Sequence, residues 1–322
     1  MPKHPFRVLS NMDPVIRIFF FFCLAVLCLA IVQIVRVRKN TNSELRGLKT
    51  HVVQNSRALL DSAAEVAKSN LDIATFIATQ ERVRKAISNR DRQTLFEIIE
   101  PLIRSINKTN TIKIRVHFHL PPGISFLRVW KPDRYGDDIS AFRKTVVDVL
   151  STGRAVKGIE AGRIGLAVRG VAPIFGSDPN KPMASVEVIT DLADVADKVQ
   201  EDHKNTIQLF GLQRIQATAS LKNLEKIDNF IVVSKAPTLF SSKVDAQFLY
   251  DALKRGVQIK KVGTLLLLGV GLRDYRGEPT GVYVEYVELS PLYEKAKRDT
   301  FKYAGLAAGA FVLAILLYFA GM

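Results

Sequence analysis

Two uncharged apolar stretches bracket the chain and constrain its fold more than any other feature. Ile18–Val35 (IFFFFCLAVLCLAIVQIV) contains one polar residue, Gln33, and Tyr303–Met322 (YAGLAAGAFVLAILLYFAGM) contains no charge. A helix crosses a bilayer with about 20 apolar residues, so both are read as transmembrane helices, at 18–36 and 303–322, behind a tail at 1–17. The competing reading of the first is a cleaved signal peptide. Its run is long for one, no A-x-A site follows, and Arg36, Arg38 and Lys39 come instead. Leu27 rather than a small residue precedes Cys28, which argues against a lipoprotein.

Roughly 265 residues lie between the spans. Basic residues flank both spans, and the positive-inside rule alone would put the large segment in the cytoplasm. That rule governs short loops, and long domains translocate largely regardless of charge, so charge does not orient it. Across the chain 46 Lys and Arg face 31 Asp and Glu. That balance suggests anionic partners. Nucleic acid is not expected, because the basic residues form no tract. Cys23 and Cys28 both lie in the first span, which leaves no disulfide framework or cysteine metal site elsewhere. The five histidines lack the paired spacings of zinc motifs. No metal or cofactor is therefore expected. No nucleophile elbow, H-E-x-x-H, P-loop or dinucleotide fingerprint occurs, so an enzyme is not expected either.

A long helical stalk is expected over 37–108. Leu45, Leu48, Val52, Leu59, Ala63, Val66, Ala74 and Ile77 recur at threes and fours, interrupted only by Gly47. Some forty residues of helix would span about 60 Å. A second helix is expected over Arg92–Asn107. The period then changes to two. Ile112, Ile114, Val116, Phe118 and Leu120 alternate with Lys113, Arg115, His117 and His119, which is a strand with one apolar face. Pro122-Gly123 suits the centre of a type II turn. That turn would pair Val116 with Val129, Phe118 with Leu127, Arg115 with Trp130, His117 with Arg128, and His119 with Phe126. The apolar face should pack on the long helix. The other face, with arginines, histidines and aromatics, should wall an anion-binding cavity.

A diverged repeat follows. GLAVRGVAPIFGSDPNKPMASVEV (165–188) parallels TLLLLGVGLRDYRGEPTGVYVEY (264–286), aligning Gly170 with Gly269 and Glu187 with Glu285. Upstream, VVDVLSTG (146–153) parallels LYDALKRG (249–256), a short helix closed by glycine. The first copy is expected to carry an extra stretch, GIEAGRIG (158–165). It also has Arg169 where the second has Leu268. A charged ligand is therefore expected in the first module, held by Arg128, Arg169, Lys131, Arg143 and Arg163. Phe126, Trp130 and Tyr135 would be its apolar walls and His119 a polar contact. Internal ion pairs of these arginines with Asp137, Asp138, Glu160 or Glu187 are the competing reading. Asp137 and Asp138 are expected to cap a helix starting near Ser140.

HFHLPPG, SFLR, KPDRYGDD, FR and GIEAGRIGLAVRG resemble the double Cache sensor domains of bacterial methyl-accepting chemotaxis receptors, sensor kinases and diguanylate cyclases. The resemblance covers about 40–300 and is strongest over 110–190. It implies an α+β fold with a long N-terminal helix and two PAS-like antiparallel-sheet modules flanked by two transmembrane helices. The membrane-distal module would occupy 109–200 and the membrane-proximal module 201–300. It also implies an extracytoplasmic domain, 37–302, on the cytoplasmic (inner) membrane of the cell. The resemblance implies a small ligand in the membrane-distal module, which the arginines above would make an anion, and a signal passed through the transmembrane helices. A homodimer through stalk and spans, and a separate cytoplasmic or membrane signalling partner, are expected, since no output domain follows the second span in this sequence. The alternative is a membrane scaffold or adaptor that has lost its ligand.

Overall fold

The computed structural model describes residues 13–162, 165–203, 206–212, 225–233 and 241–320. It separates into two compact units, Met1–Gln54 with Glu288–Met322, and Asn55–Val287. The first unit holds helix α1 (Pro14–Asn55) up to Gln54 and the whole of the C-terminal helix, α8 (Ser290–Ala320). Both helices are long and apolar enough to cross a membrane.

The second unit opens with α2 (Ala58–Thr79), α3 (Glu81–Ser88) and α4 (Arg92–Thr109). The expected single stalk helix is thus broken twice. A turn at Ser56-Arg57 separates α1 from α2, and the Ser56 carbonyl accepts the Tyr283 hydroxyl. Extended backbone at Gln80 (φ −70°, ψ 125°) ends α2 and redirects α3. Asp91 starts α4 as its N-cap, accepting bonds from the Thr94 amide (3.0 Å) and hydroxyl (2.7 Å).

Two antiparallel sheets follow. The first contains β1 (Arg115–Leu120), β2 (Ile124–Arg128), β3 (Val156–Ala161), β4 (Leu166–Phe175) and β5 (Pro182–Asp191), with helix α5 (Lys144–Thr152) between β2 and β3. Their spatial order is β2-β1-β5-β4-β3. Helix α6 (Leu192–His203) leads to the second sheet. That sheet contains β6 (Thr206–Leu212), β7 (Lys226–Ile227), β8 (Phe230–Val232), β9 (Val257–Val262), β10 (Leu265–Arg273) and β11 (Pro279–Glu288), with α7 (Ala246–Arg255) preceding β9. Its order is β7-β8-β6-β11-β10-β9.

The order β1-β5-β4-β3 recurs as β6-β11-β10-β9, which makes the internal repeat structural. Gly153 and Gly256 end α5 and α7 at positive φ, 68° and 85°. The expectation of an extra stretch at 158–165 is corrected. Residues 156–161 form β3 and its counterpart VQIKKV forms β9, so the extra residues of the first copy lie on either side of that strand, between α5 and β3 and between β3 and β4.

The apolar face of the first sheet packs as expected from the two-residue alternation. Val116, Phe118, Leu127, Val129, Ile174, Val186 and Val188 join Ala74, Ile77, Val83, Ile87, Leu95, Ile99 and Ile103 from α2–α4 in one core. Gly170 permits this approach, since a Cβ there would lie 2.1 Å from the Leu71 amide nitrogen. Gly269 plays the same part in the second sheet, where a Cβ would meet Ala252 at 2.9 Å and Phe248 at 3.0 Å on α7. Asn70 fixes the register of α2 by donating to the Val168 carbonyl and the Thr190 hydroxyl, both at 3.1 Å.

The modules touch through the β10–β11 turn. The Tyr275 amide donates to the Ile159 carbonyl (2.9 Å), its hydroxyl donates to Asp148 on α5 (2.7 Å), and Arg276 pairs with the same carboxylate (2.5 Å).

Candidate ligand pocket in the first module

The polar face of the first sheet is assembled by strand pairing. His117 lies opposite Arg128 across β1–β2 and opposite Glu187 across β1–β5. A bulge between Phe118 and His119 corrects the expected register beyond that point, so His119 faces Ser125 instead of Phe126. The extra residue turns Phe126 into the apolar core with α2–α4.

A cavity of about 170 Å³ opens on this face. Of the residues expected to line it, Arg128, Lys131, Arg143, Arg169 and Trp130 do so. Arg163 lies outside the described residues. Three expectations are corrected. Phe126 belongs to the core, while Tyr135 is exposed with the Arg92 guanidinium stacked 3.2 Å from its ring centre. His119 is fully buried behind the lining rather than in it. Arg115, Arg134, His117 and Asp191 also line the cavity.

The arginines are held by carboxylates. Arg128 makes a two-pronged pair with Asp137 (2.7 and 2.8 Å) and donates to the Arg134 carbonyl (2.8 Å). Asp137 therefore does not cap a helix. Asp138 accepts from the Ser140 amide, and the helix starts four residues later at Lys144. Arg115 pairs with Asp191 at 2.5 Å. Glu160 on β3 accepts from the Thr145 amide and hydroxyl, both at 2.9 Å, and from Arg143 at 3.3 Å; Arg169 Nε lies 3.2 Å from it. Glu187 on β5 takes Arg169 on one oxygen at 2.5 Å. Lys131 and Arg134 make no ion pair among the described residues.

Burial sets the protonation of this cluster. Desolvation alone would raise the Glu187 pKa, but the Arg169 and Arg143 charges hold it well below the usual carboxylate range. Burial lowers Arg143 from its ordinary value, and the neighbouring Arg169 adds to the effect. Burial pushes His117 down to about 4, and Glu187 offsets this only in part. His119 is held well below its ordinary value by burial, with His117 beside it. Both imidazoles are therefore neutral at pH 7, and Glu187 is charged.

From the sequence, Glu160 and Glu187 enter only as competing ion-pair partners of the arginines and His117 only as part of the cavity wall. The available signal was a glutamate in the middle of an apolar strand, SVEVIT, where a buried carboxylate needs a cationic partner.

The family model for the double sensory domain of two-component sensor kinase, dCache_3, matches residues 52–282. The chain belongs to this family. Two solved structures share the dCache fold. One is the extracellular domain of a protein assigned as a histidine kinase (vpHK1S-Z8), 13% identical, with TM-score 0.50 over 78% of this chain and 98% of that one. The other is a domain of a sensory-box/GGDEF family protein from Vibrio parahaemolyticus, 11% identical, with TM-score 0.50 over 79% and 99%. No curated protein sequence matches the chain. Family and fold together make this dCache chain a sensory-domain protein with two helices long and apolar enough to cross a membrane.

Proposed function

We propose that this protein is an inner-membrane receptor whose first module binds a small carboxylate or similar anion from outside the cytoplasm. The observation that carries this reading is the charge balance of the pocket. Among the described residues six basic side chains line it, from Arg115, Arg128, Lys131, Arg134, Arg143 and Arg169. Four carboxylates, those of Asp137, Asp191, Glu160 and Glu187, pair with them. An excess of two positive charges among the described residues, at Lys131 and Arg134, faces a cavity with aromatic walls at Trp130 and Phe142. Arginine forks suit planar carboxylates. A volume near 170 Å³ is about that of an engineered cavity that takes up benzene, which limits the ligand to a handful of heavy atoms. Gly305 and Gly309 on α8, where an added Cβ would meet nothing within 4 Å, leave room for a second copy's helix in a homodimer.

The test is a thermal-unfolding screen of the detergent-solubilised chain against small organic acids and amino acids, since ligand binding raises the midpoint by mass action. One or more acids should raise it, and Lys131→Ala combined with Arg134→Ala should abolish the shift. No shift with any acid sinks the reading. That outcome favours the scaffold alternative, which has its own support in the internal pairing of Arg128, Arg143 and Arg169.

A further inference from the structure

Behind the lining of the pocket, three potential donor atoms converge. His117 Nδ1 lies 3.7 Å and His119 Nε2 3.5 Å from the same oxygen of Glu187, Oε2. All three atoms fall within 4.8 Å of one another. We propose that His117 Nδ1, His119 Nε2 and Glu187 Oε2 form a binding site for a zinc-class divalent cation, open on the His117 side to the ligand cavity.

The donor set is that of a two-histidine, one-carboxylate zinc site, which keeps a fourth position for water or an anion. Metal–ligand bonds of about 2.0–2.2 Å in tetrahedral geometry place donors about 3.3–3.5 Å apart, close to the two distances to Glu187. Small side-chain rotations close the remaining histidine–histidine gap.

Each ligand is oriented through its other atom. His117 Nε2 is bonded to the Ser125 hydroxyl at 2.8 Å and His119 Nδ1 to the Ser185 hydroxyl at 3.2 Å. Arg169 occupies Glu187 Oε1. Supporting hydrogen bonds of this kind fix ring orientation at metal sites. The atoms turned inward lack partners. Glu187 Oε2 and His119 Nε2 are buried without any hydrogen bond, on side chains of 0% exposure. Buried polar atoms left unpaired are costly, a cost that a bound cation would relieve.

The opposing term is repulsion from Arg143 and Arg169. Glu160 and Glu187 balance those two charges, so a bound dication adds an uncompensated +2. An anion in the open fourth position, whether hydroxide, chloride or the carboxylate of a ligand, offsets one of those two charges. The site therefore stands without any organic ligand, and metal alone is the probe.

The test uses the full chain in detergent, stripped with chelator and dialysed, then titrated with zinc or cobalt in chloride buffer without organic acids. One metal per chain should bind, and cobalt should give the visible absorption of a four-coordinate site with nitrogen and oxygen donors. His119→Gln should weaken binding by about 100-fold or more, and Ser125→Ala by about 10–100-fold. Lys254→Ala, at an exposed position on α7 of the second module, should leave zinc affinity unchanged. Absence of stoichiometric metal in the wild-type chain overturns the proposal, and so does zinc affinity that His119→Gln does not change. The wild-type stoichiometry and the cobalt spectrum decide the matter even if a variant misfolds.

Discussion

Arg128 meets Asp137 through two hydrogen bonds across the loop that follows β2, and the pair covers one side of the pocket. The arginine side chain is 9% exposed and the aspartate 31%. Removing the carboxylate leaves a nearly buried guanidinium with only the Arg134 carbonyl. Asp137→Ala should therefore destabilise the domain by about 2–3 kcal/mol, read as a lower midpoint of thermal unfolding. Arg128→Leu combined with Asp137→Ala should recover part of the loss, because no unpaired charge remains.

Glu160 competes with any anion for Arg143 and Arg169. Glu160→Gln keeps the shape and removes one negative charge, so affinity for the acid found by screening should rise about tenfold, worth about 1.4 kcal/mol. Stability should fall at the same time, since the Thr145 amide and hydroxyl lose a charged acceptor. Affinity that drops in this variant would argue that Glu160 itself contacts the ligand.

Gly170→Ala drives a methyl group into the backbone of Asn70 and Leu71, neither of which can move without shifting α2. A loss of about 3 kcal/mol or more is expected. Gly269→Ala meets only the Ala252 and Phe248 side chains and should cost about 1–3 kcal/mol. Gly47→Ala, inside α1 with nothing within 4 Å, should be neutral or stabilising by up to about 1 kcal/mol. Thermal unfolding of the three variants gives the ranking directly.

Asp148 gives a pH dependence of known sign. Burial raises its pKa, but bonds from Arg276 and Tyr275 overcome that and hold it below the ordinary 3.8. A carboxylate with a depressed folded pKa stabilises above its unfolded value and loses that contribution as pH falls through the folded one. Wild type should thus exceed Asp148→Asn in thermal midpoint at neutral pH, and the gap should shrink below pH 3.8. A gap that stays constant to low pH would mean that the ion pair is not the source of stability.

Two-residue alternation made the apolar face of β1 legible, along with the pairing of His117 with Arg128 and of Phe118 with Leu127. The bulge after Phe118 was not legible, because an added residue changes no local composition while reversing which side chains face the cavity. His117 meets Glu187, seventy positions away in the chain, only through β1–β5 pairing. A spacing rule for metal ligands works when the donors share a turn or a helix, and here a sheet supplies the proximity. The stalk helix was read from its period as unbroken. Neither the turn at Ser56-Arg57 nor the extended Gln80 carries a proline or glycine to announce it.

Helix α5 has two ends of a lever. Thr145, at its start, is bonded twice to the Glu160 carboxylate beneath the pocket, while Asp148, one turn on, grips Tyr275 and Arg276 of the other module. Four residues of stiff helix join these grips, too short to bend and absorb a displacement. An anion that displaced Glu160 would draw on its two bonds to Thr145, and the same helix would carry that pull to the Asp148 contacts with Tyr275 and Arg276. The second module would then feel occupancy of the first as traction on a single tyrosine.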